Sequence, residues 1–278
     1  MLLRRTTAIA ACAVLGLAAC SDDDSGGDAS DTTEADETTT TAEVDPLTIM
    51  VTNDDGIGHT GIDTLVTALE ELDDVEVVVV APADDRTGTS DTKTEGGASY
   101  AEASTKSGHE GTAVDGFPAD TVTVALDELD LEPDLVVSGI NQGQNAGPLA
   151  YLSGTVGAAR EAIRRGVPAI AGSAGMVDDA DFAGAAALMV AYIEEHRSEL
   201  ADGTASTEAV INFNVPECTA GEPRELIEVA LATEIPAGVS PFTADCTIEP
   251  AEAPTDDVLG LAAGYAVVSP VAPEDPAG

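Results

Sequence analysis

The sequence predicts an α/β domain built as a Rossmann-like, mostly parallel sheet flanked by helices, with a C-terminal strand extension. Three observations predict it. From residue 47 onward, short apolar runs alternate with segments of helical periodicity. The apolar runs end in polar, glycine-bearing loops, as strands of a parallel sheet do before a helical crossover. The roughly 230 residues of this part are enough for one large core, and no internal repeat divides them.

Leu47–Val51 is a continuous apolar run of strand length. Ile62–Leu72 sets Leu65, Leu69 and Leu72 on one stripe and reads as a helix. Val75–Val80 is β-branched and reads as a second buried strand, followed by a polar loop from Ala81 to Gly97. Pro118 suits a helix start because its missing N–H would be unpaired there anyway, so a helix is expected over Ala119–Leu129. Leu135–Val137 is a third principal strand, entering a loop from Gly139 to Leu152. Helix over Thr155–Arg165, strand over Val167–Ala171 and a long helix over Asp181–His196 follow. Ala209–Val215 and Tyr265–Val268 read as strands, and the stretch between them is weakly patterned.

The chemistry concentrates where the first strand ends, at Val51-Thr52-Asn53-Asp54-Asp55-Gly56. In open α/β sheets ligands bind beyond the carboxyl ends of the strands, and adjacent carboxylates there offer hard oxygen donors to a divalent cation. The same residues also suit an Asx turn. A second polar loop carries Ser138-Gly139-Ile140-Asn141-Gln142-Gly143-Gln144-Asn145-Ala146-Gly147. It is followed by Ser153-Gly154-Thr155-Val156-Gly157-Ala158-Ala159. Backbone N–H groups and hydroxyls at such a helix start can hold a phosphate, although Ser153 is equally a plain N-cap.

These segments, in this order with Arg86-Thr87-Gly88-Thr89-Ser90 between them, resemble the SurE family of metal-dependent nucleotidases and acid phosphatases. The likeness continues more thinly through Gly116-Phe117-Pro118-Ala119-Asp120, Asn212-Phe213-Asn214-Val215-Pro216 and Gly264–Pro270. The resemblance implies a metal held by Asp54, Asp55, Asn141 and the hydroxyl of Thr87, where the family usually has serine. It makes Asn145 a second active-site asparagine that holds phosphate or orients water beside Asp54 and Asp55. Asn53, Gly88, Ser153, Gly154 and Thr155 fall to the phosphate. The oxygen-rich donor set favours Mg²⁺ or Mn²⁺, with Ca²⁺ as a further candidate. His59 is expected to pack the first loop, with proton transfer as the alternative, and His109 and His196 read as surface residues. The chain departs from the family at Thr60, where proline is common, and at Leu152, where tyrosine often stands.

The implied activity is hydrolysis of nucleoside 5′- or 3′-monophosphates. The alternative is a non-catalytic metal- or anion-binding lipoprotein built on a decayed nucleotidase site. A dinucleotide enzyme would need G-x-G-x-x-G after the first strand, which is absent. An aspartyl-phosphate phosphatase would need two Asp with one residue between them and a later Lys, whereas Asp54 and Asp55 are adjacent and the lysines beyond residue 20, Lys93 and Lys106, lie in a loop region.

Residues 1–19 read as an export signal: Arg4 and Arg5 precede an apolar run, Ile9 to Leu17, too short to span a bilayer. Leu17-Ala18-Ala19-Cys20 resembles a lipoprotein box, with Cys20 lipidated and the protein anchored to the outer face of the bacterial cytoplasmic membrane; an ordinary cleaved signal is the other reading. Residues 21–46 hold ten acidic residues, six threonines and no basic residue, and so cannot offset the entropy of ordering. They are expected to form, with Cys20, a disordered tether ahead of the domain at 47–278. The formal net charge of -42 becomes -44 without Arg4 and Arg5, which excludes a nucleic-acid groove. The expected partners are a small nucleotide and, through the lipid alone, a membrane. Cys218 and Cys246 remain in the domain and are expected to pair in an oxidising compartment. The family's homodimer is a further expectation. Residues 217–255 lack the basic, aromatic hairpin that accompanies it, so a monomer or another dimer stays open.

Overall fold

The computed structural model describes residues 46–177 and 180–276. The expected signal, lipidated Cys20 and tether lie outside the described residues. Strand β1 (Leu47–Thr52) leads to helix α1 (Thr60–Glu70), strand β2 (Val75–Pro82) and a hairpin of β3 (Ser99–Ser104) and β4 (Glu110–Asp115). Helix α2 (Pro118–Thr123) precedes β5 (Leu135–Gln142), α3 (Gly154–Arg164) and β6 (Ala169–Ala174). Then come α4 (Phe182–Glu195), α5 (Arg197–Ala201), β7 (Val210–Asn214), β8 (Glu217–Ala220), β9 (Arg224–Glu228), β10 (Thr243–Asp245), α6 (Asp257–Ala262) and β11 (Tyr265–Val271).

Nine of these strands form one sheet in the order β3-β4-β2-β1-β5-β6-β7-β11-β9. Pairing is parallel except for β3 with β4 and β7 with β11. Strand alternation sorts the apolar residues onto two faces. Ile49, Val51 and Val137 pack with Ile62, Leu65 and Leu69 of α1 and Met189 and Ile193 of α4. Met50, Val80 and Val136 pack on the other face with Val122 of α2 and Val156, Ala159 and Ala162 of α3. No described helix is long and apolar enough to cross a membrane.

Three expectations are corrected. The helix expected over Ala119–Leu129 stops being α-helical at Thr123 and continues as one π-turn over Val124–Glu128, where Leu129 N–H reaches back to the Val124 carbonyl at 3.0 Å. Strand β5 runs on through Asn141 to Gln142, because β6 continues to pair with it there; Asn141 therefore sits on a strand end rather than in a loop. The weakly patterned stretch before β11 has a core of its own, in which Ala146, Ala232, Val258, Leu261 and Val267 pack with Ile227 and Ile235. Alternation was illegible there because these contacts come from turns and short elements. Cys218 and Cys246 form a disulfide with Cα atoms 5.5 Å apart, across the small parallel pair of β8 and β10.

Candidate active site

Strands β2, β1 and β5 lie side by side and parallel, so the loops after them converge at one edge of the sheet. At the end of β1, the Asn53 amide accepts from Gly56 N–H at 3.2 Å and donates to Gly56 O at 2.9 Å. This clamp turns the chain so that Asp54 and Asp55 follow the strand end. Asn53, expected to touch phosphate, has its oxygen and nitrogen bound to this turn instead, because it is wholly buried against its own loop.

Asp54 is 1 % exposed and is held by the start of α3. Thr155 donates its hydroxyl to Asp54 Oδ1, and the Thr155 backbone hydrogen-bonds the same carboxylate. A Cβ at Gly154 would lie 2.8 Å from Asp54 Cβ, so glycine is what lets the helix start come this close. Ser153 acts as the N-cap, accepting from Val156 N–H at 3.2 Å. Thr155, expected at the phosphate, thus holds Asp54. Burial pushes the Asp54 carboxyl up to about 6; the Thr155 hydroxyl opposes this and the Asp55 charge adds to it. Asp55 is raised too, chiefly by burial, against the lowering influence of His59 and Gln142 N–H, with Asp85 adding to the rise. Two like charges at one strand end, one buried and one half-buried, form a place that favours a cation.

The donor set fits one. Asn141 gives its amide nitrogen to Gly143 O at 2.5 Å, while its Oδ1 is buried with no hydrogen-bond partner among the described residues. Gln142 N–H lies 3.4 Å from Asp55 Oδ2, which sets this orphaned oxygen's residue beside the carboxylate pair. A buried acceptor left unpaired is costly unless something electropositive meets it. Among the described residues, no three of His, Cys, Asp and Glu are grouped to hold a metal, so a cation at this edge would need amide or hydroxyl oxygen beside Asp54 and Asp55.

Asn145 is 8 % exposed and tied to the neighbouring strands. Its side-chain nitrogen donates to Ser173 Oγ at 3.0 Å, its backbone N–H to Asn214 Oδ1 at 2.7 Å, and its carbonyl accepts from Asn212 Nδ2 at 2.8 Å. Further on, Gly147 N–H donates to Asp257 Oδ2 at 2.8 Å, and Asp257 also accepts from Ala232 and Val258 N–H groups. The loop after Asn141 is therefore fixed at both ends.

The loop after β2 runs along the Asp pair: Arg86 N–H donates to the Asp54 carbonyl at 2.7 Å, and Asp84 backbone packs on Gly56. Thr87 follows directly. Its hydroxyl donates to Asp85 Oδ1 at 2.6 Å and its N–H to the same oxygen at 2.8 Å. Gly88 occupies an exposed turn at φ +73 with open space around it. Ser90 N–H and Oγ then bond the Leu152 and Tyr151 carbonyls, and Asp91 pairs with Arg160 and Arg164 of α3. Asp120 completes the fastening, accepting from Thr94 N–H and Oγ1 as well as from Phe117 N–H.

His59 caps α1, its Nδ1 accepting from Gly61 N–H at 3.1 Å, and its ring meets Phe182 edge-on at 5.7 Å. Asp55 Oδ2 is 3.5 Å from that same nitrogen. One nitrogen cannot accept from Gly61 and donate to Asp55 at once; the shorter, aligned contact is the cap, which matches the packing role. His109 and His196 are half-buried rather than free on the surface, against Glu70 and stacked on Tyr192 respectively. Sequence reasoning missed Asp85, Ser173 and Asp257 altogether. The Arg86–Ser90, Asn212-x-Asn214 and Asp120 motifs signalled supporting contacts.

The family model described as "Survival protein SurE" matches residues 49–234. A protein named 5′-nucleotidase SurE from Brevibacillus brevis is 35 % identical over 197 residues, covering 67 % of this chain and 72 % of that one. Its namesake from Natronomonas pharaonis is 39 % identical over 195 residues, covering 66 % and 72 %. The crystal structure of SurE protein from Aquifex aeolicus superposes with a TM-score of 0.65 at 25 % identity, over 82 % of this chain and 94 % of that one. Similar in sequence across the strand ends that carry Asp54, Asp55 and Asn141, and similar in fold across nearly all of a solved relative, the chain belongs to the SurE family.

Proposed function

We propose that the protein is a metal-dependent phosphomonoesterase that converts nucleoside 5′- or 3′-monophosphates to nucleoside and phosphate. The observation that carries the reading is the buried Asp54 and half-buried Asp55 at one sheet edge, joined through the Gln142 N–H to the strand end that carries Asn141, whose Oδ1 has no partner among the described residues. Asp54, Asp55, Asn141 and the Thr87 hydroxyl are the residues that would hold the cation, with Mg²⁺ or Mn²⁺ preferred for an all-oxygen site. Such a cation supplies Lewis acidity toward phosphoryl oxygens and acidifies water. Thr155 keeps Asp54 in one rotamer, and Asn145 fixes the loop that presents Asn141. The first turn of α3 begins at the same edge and favours an anion through its dipole. Names of the relatives favour nucleotides as the substrate class.

The test is release of inorganic phosphate from a panel of 5′- and 3′-nucleotides. Mg²⁺ or Mn²⁺ is expected to support turnover and chelation to abolish it. Binding of metal without turnover of any panel member would favour the non-catalytic alternative.

Anchoring through Cys20 is part of the same reading, since the acidic segment after it would be repelled by anionic head groups. Cys20→Ser is expected to move the protein from the membrane fraction to the soluble fraction. Retention of that variant in washed membranes would overturn the anchor.

A further inference from the structure

We propose that Asp85 is a positioning residue for the cation, acting through Thr87. The inference rests on the metal reading above. A threonine hydroxyl has one proton and two acceptor lone pairs, and its proton is normally free to rotate. Here Asp85 Oδ1 receives that proton at 2.6 Å while the Thr87 backbone N–H grips the same oxygen at 2.8 Å. The rotor is thereby fixed with its proton turned to Asp85, and what Oγ1 retains is acceptor capacity alone, the form a cation uses.

The loop is pinned where this matters. Arg86, between the two residues, donates its N–H to the Asp54 carbonyl at 2.7 Å, so the pair Asp85–Thr87 straddles a fixed point on the carboxylate turn. Fixation is of particular value at this position because threonine adds a methyl group to the hydroxyl carbon, and an unlocked rotamer would present that methyl in place of oxygen. Partners behind ligands typically change metal affinity by about 10–100-fold when removed. Asp85 itself stays exposed, as a residue acting through another can.

The experiment titrates Mn²⁺ into the full chain by calorimetry, which reads affinity without turnover. Asp85→Ala is expected to weaken Mn²⁺ binding by roughly 10-fold. Asp85→Asn, which retains an amide oxygen as acceptor, is expected to recover most of that loss. In a Thr87→Val background, Asp85→Ala is expected to add nothing, because the two act as one unit. Equal losses in Asp85→Ala and Asp85→Asn would show that charge or direct ligation matters, and would overturn the proposal. An additive loss in the Thr87→Val background, or wild-type affinity in Asp85→Ala, would overturn it as well. Asp54→Asn serves as the control: if wild-type protein binds Mn²⁺ no better than this variant, the metal reading itself fails and takes the inference with it.

Discussion

Replacing Asp54 by asparagine is expected to abolish Mn²⁺ binding and phosphate release, and at the same time to make the metal-free protein more stable at neutral pH. Both effects follow from one carboxyl group whose folded value is about 6 against an ordinary 3.8. Below pH 3.8 the group is protonated whether the chain is folded or not, and it contributes no pH dependence. Between 3.8 and about 6 the unfolded chain ionises while the folded chain keeps its proton, so stability falls as pH rises through that window. Above it the full penalty is present, on the order of 3 kcal/mol. Asparagine keeps an oxygen for the Thr155 hydroxyl and has no charge to bury. Thermal melts of metal-free wild type and variant should therefore diverge as pH rises from 4 to 6, with the variant higher. Adding Mn²⁺ should raise the melting temperature of the wild type alone. Parallel melting curves across that range, or turnover by the variant in chelator, would refute this account of the site.

The second large effect concerns Cys218 and Cys246. A double Cys→Ser variant is expected to lose about 3 kcal/mol of stability, since the bond closes a loop with a sequence separation of 28. The loop also packs its Ile227, Ala232 and Ile235 against Val258 and Leu261 beyond it, so the variant should still fold at low temperature. Phosphate release per folded molecule should be retained, because neither sulfur belongs to the carboxylate edge. Differential scanning calorimetry paired with initial rates checks both halves. An unchanged melting temperature, or turnover lost by a folded variant, would refute it.

The sheet and its chemistry were legible in the sequence for different reasons. Strands β1 and β5 and the second half of β2 are buried on both faces and therefore spelled themselves as apolar runs. The donors Asp54, Asp55 and Asn141 were legible because an ordered set of motifs surrounds them. Hairpin β3–β4 was not, since its residues are largely exposed at the sheet edge and carry no apolar alternation. Asp85 was hidden because one Asp in a loop containing several has no signature until its hydrogen bond to Thr87 is seen. Asp257 was hidden by distance: it caps Gly147 across 110 positions of sequence.

That last separation bears on when the site comes into being. Both carboxylates stand within the first ten positions of the domain, yet the loop opposite them is fastened by Asn212, Asn214 and Asp257. A nascent chain that has delivered only β1 to β6 has Asn141 paired on its strand end but leaves Asn145 and Gly147 without the partners that fasten them. The fastening of that loop arrives late, with the closing strands, as a property of the finished polypeptide. Contacts between residues so far apart in sequence are slow to form, so the loop settles only when the last strands are in place.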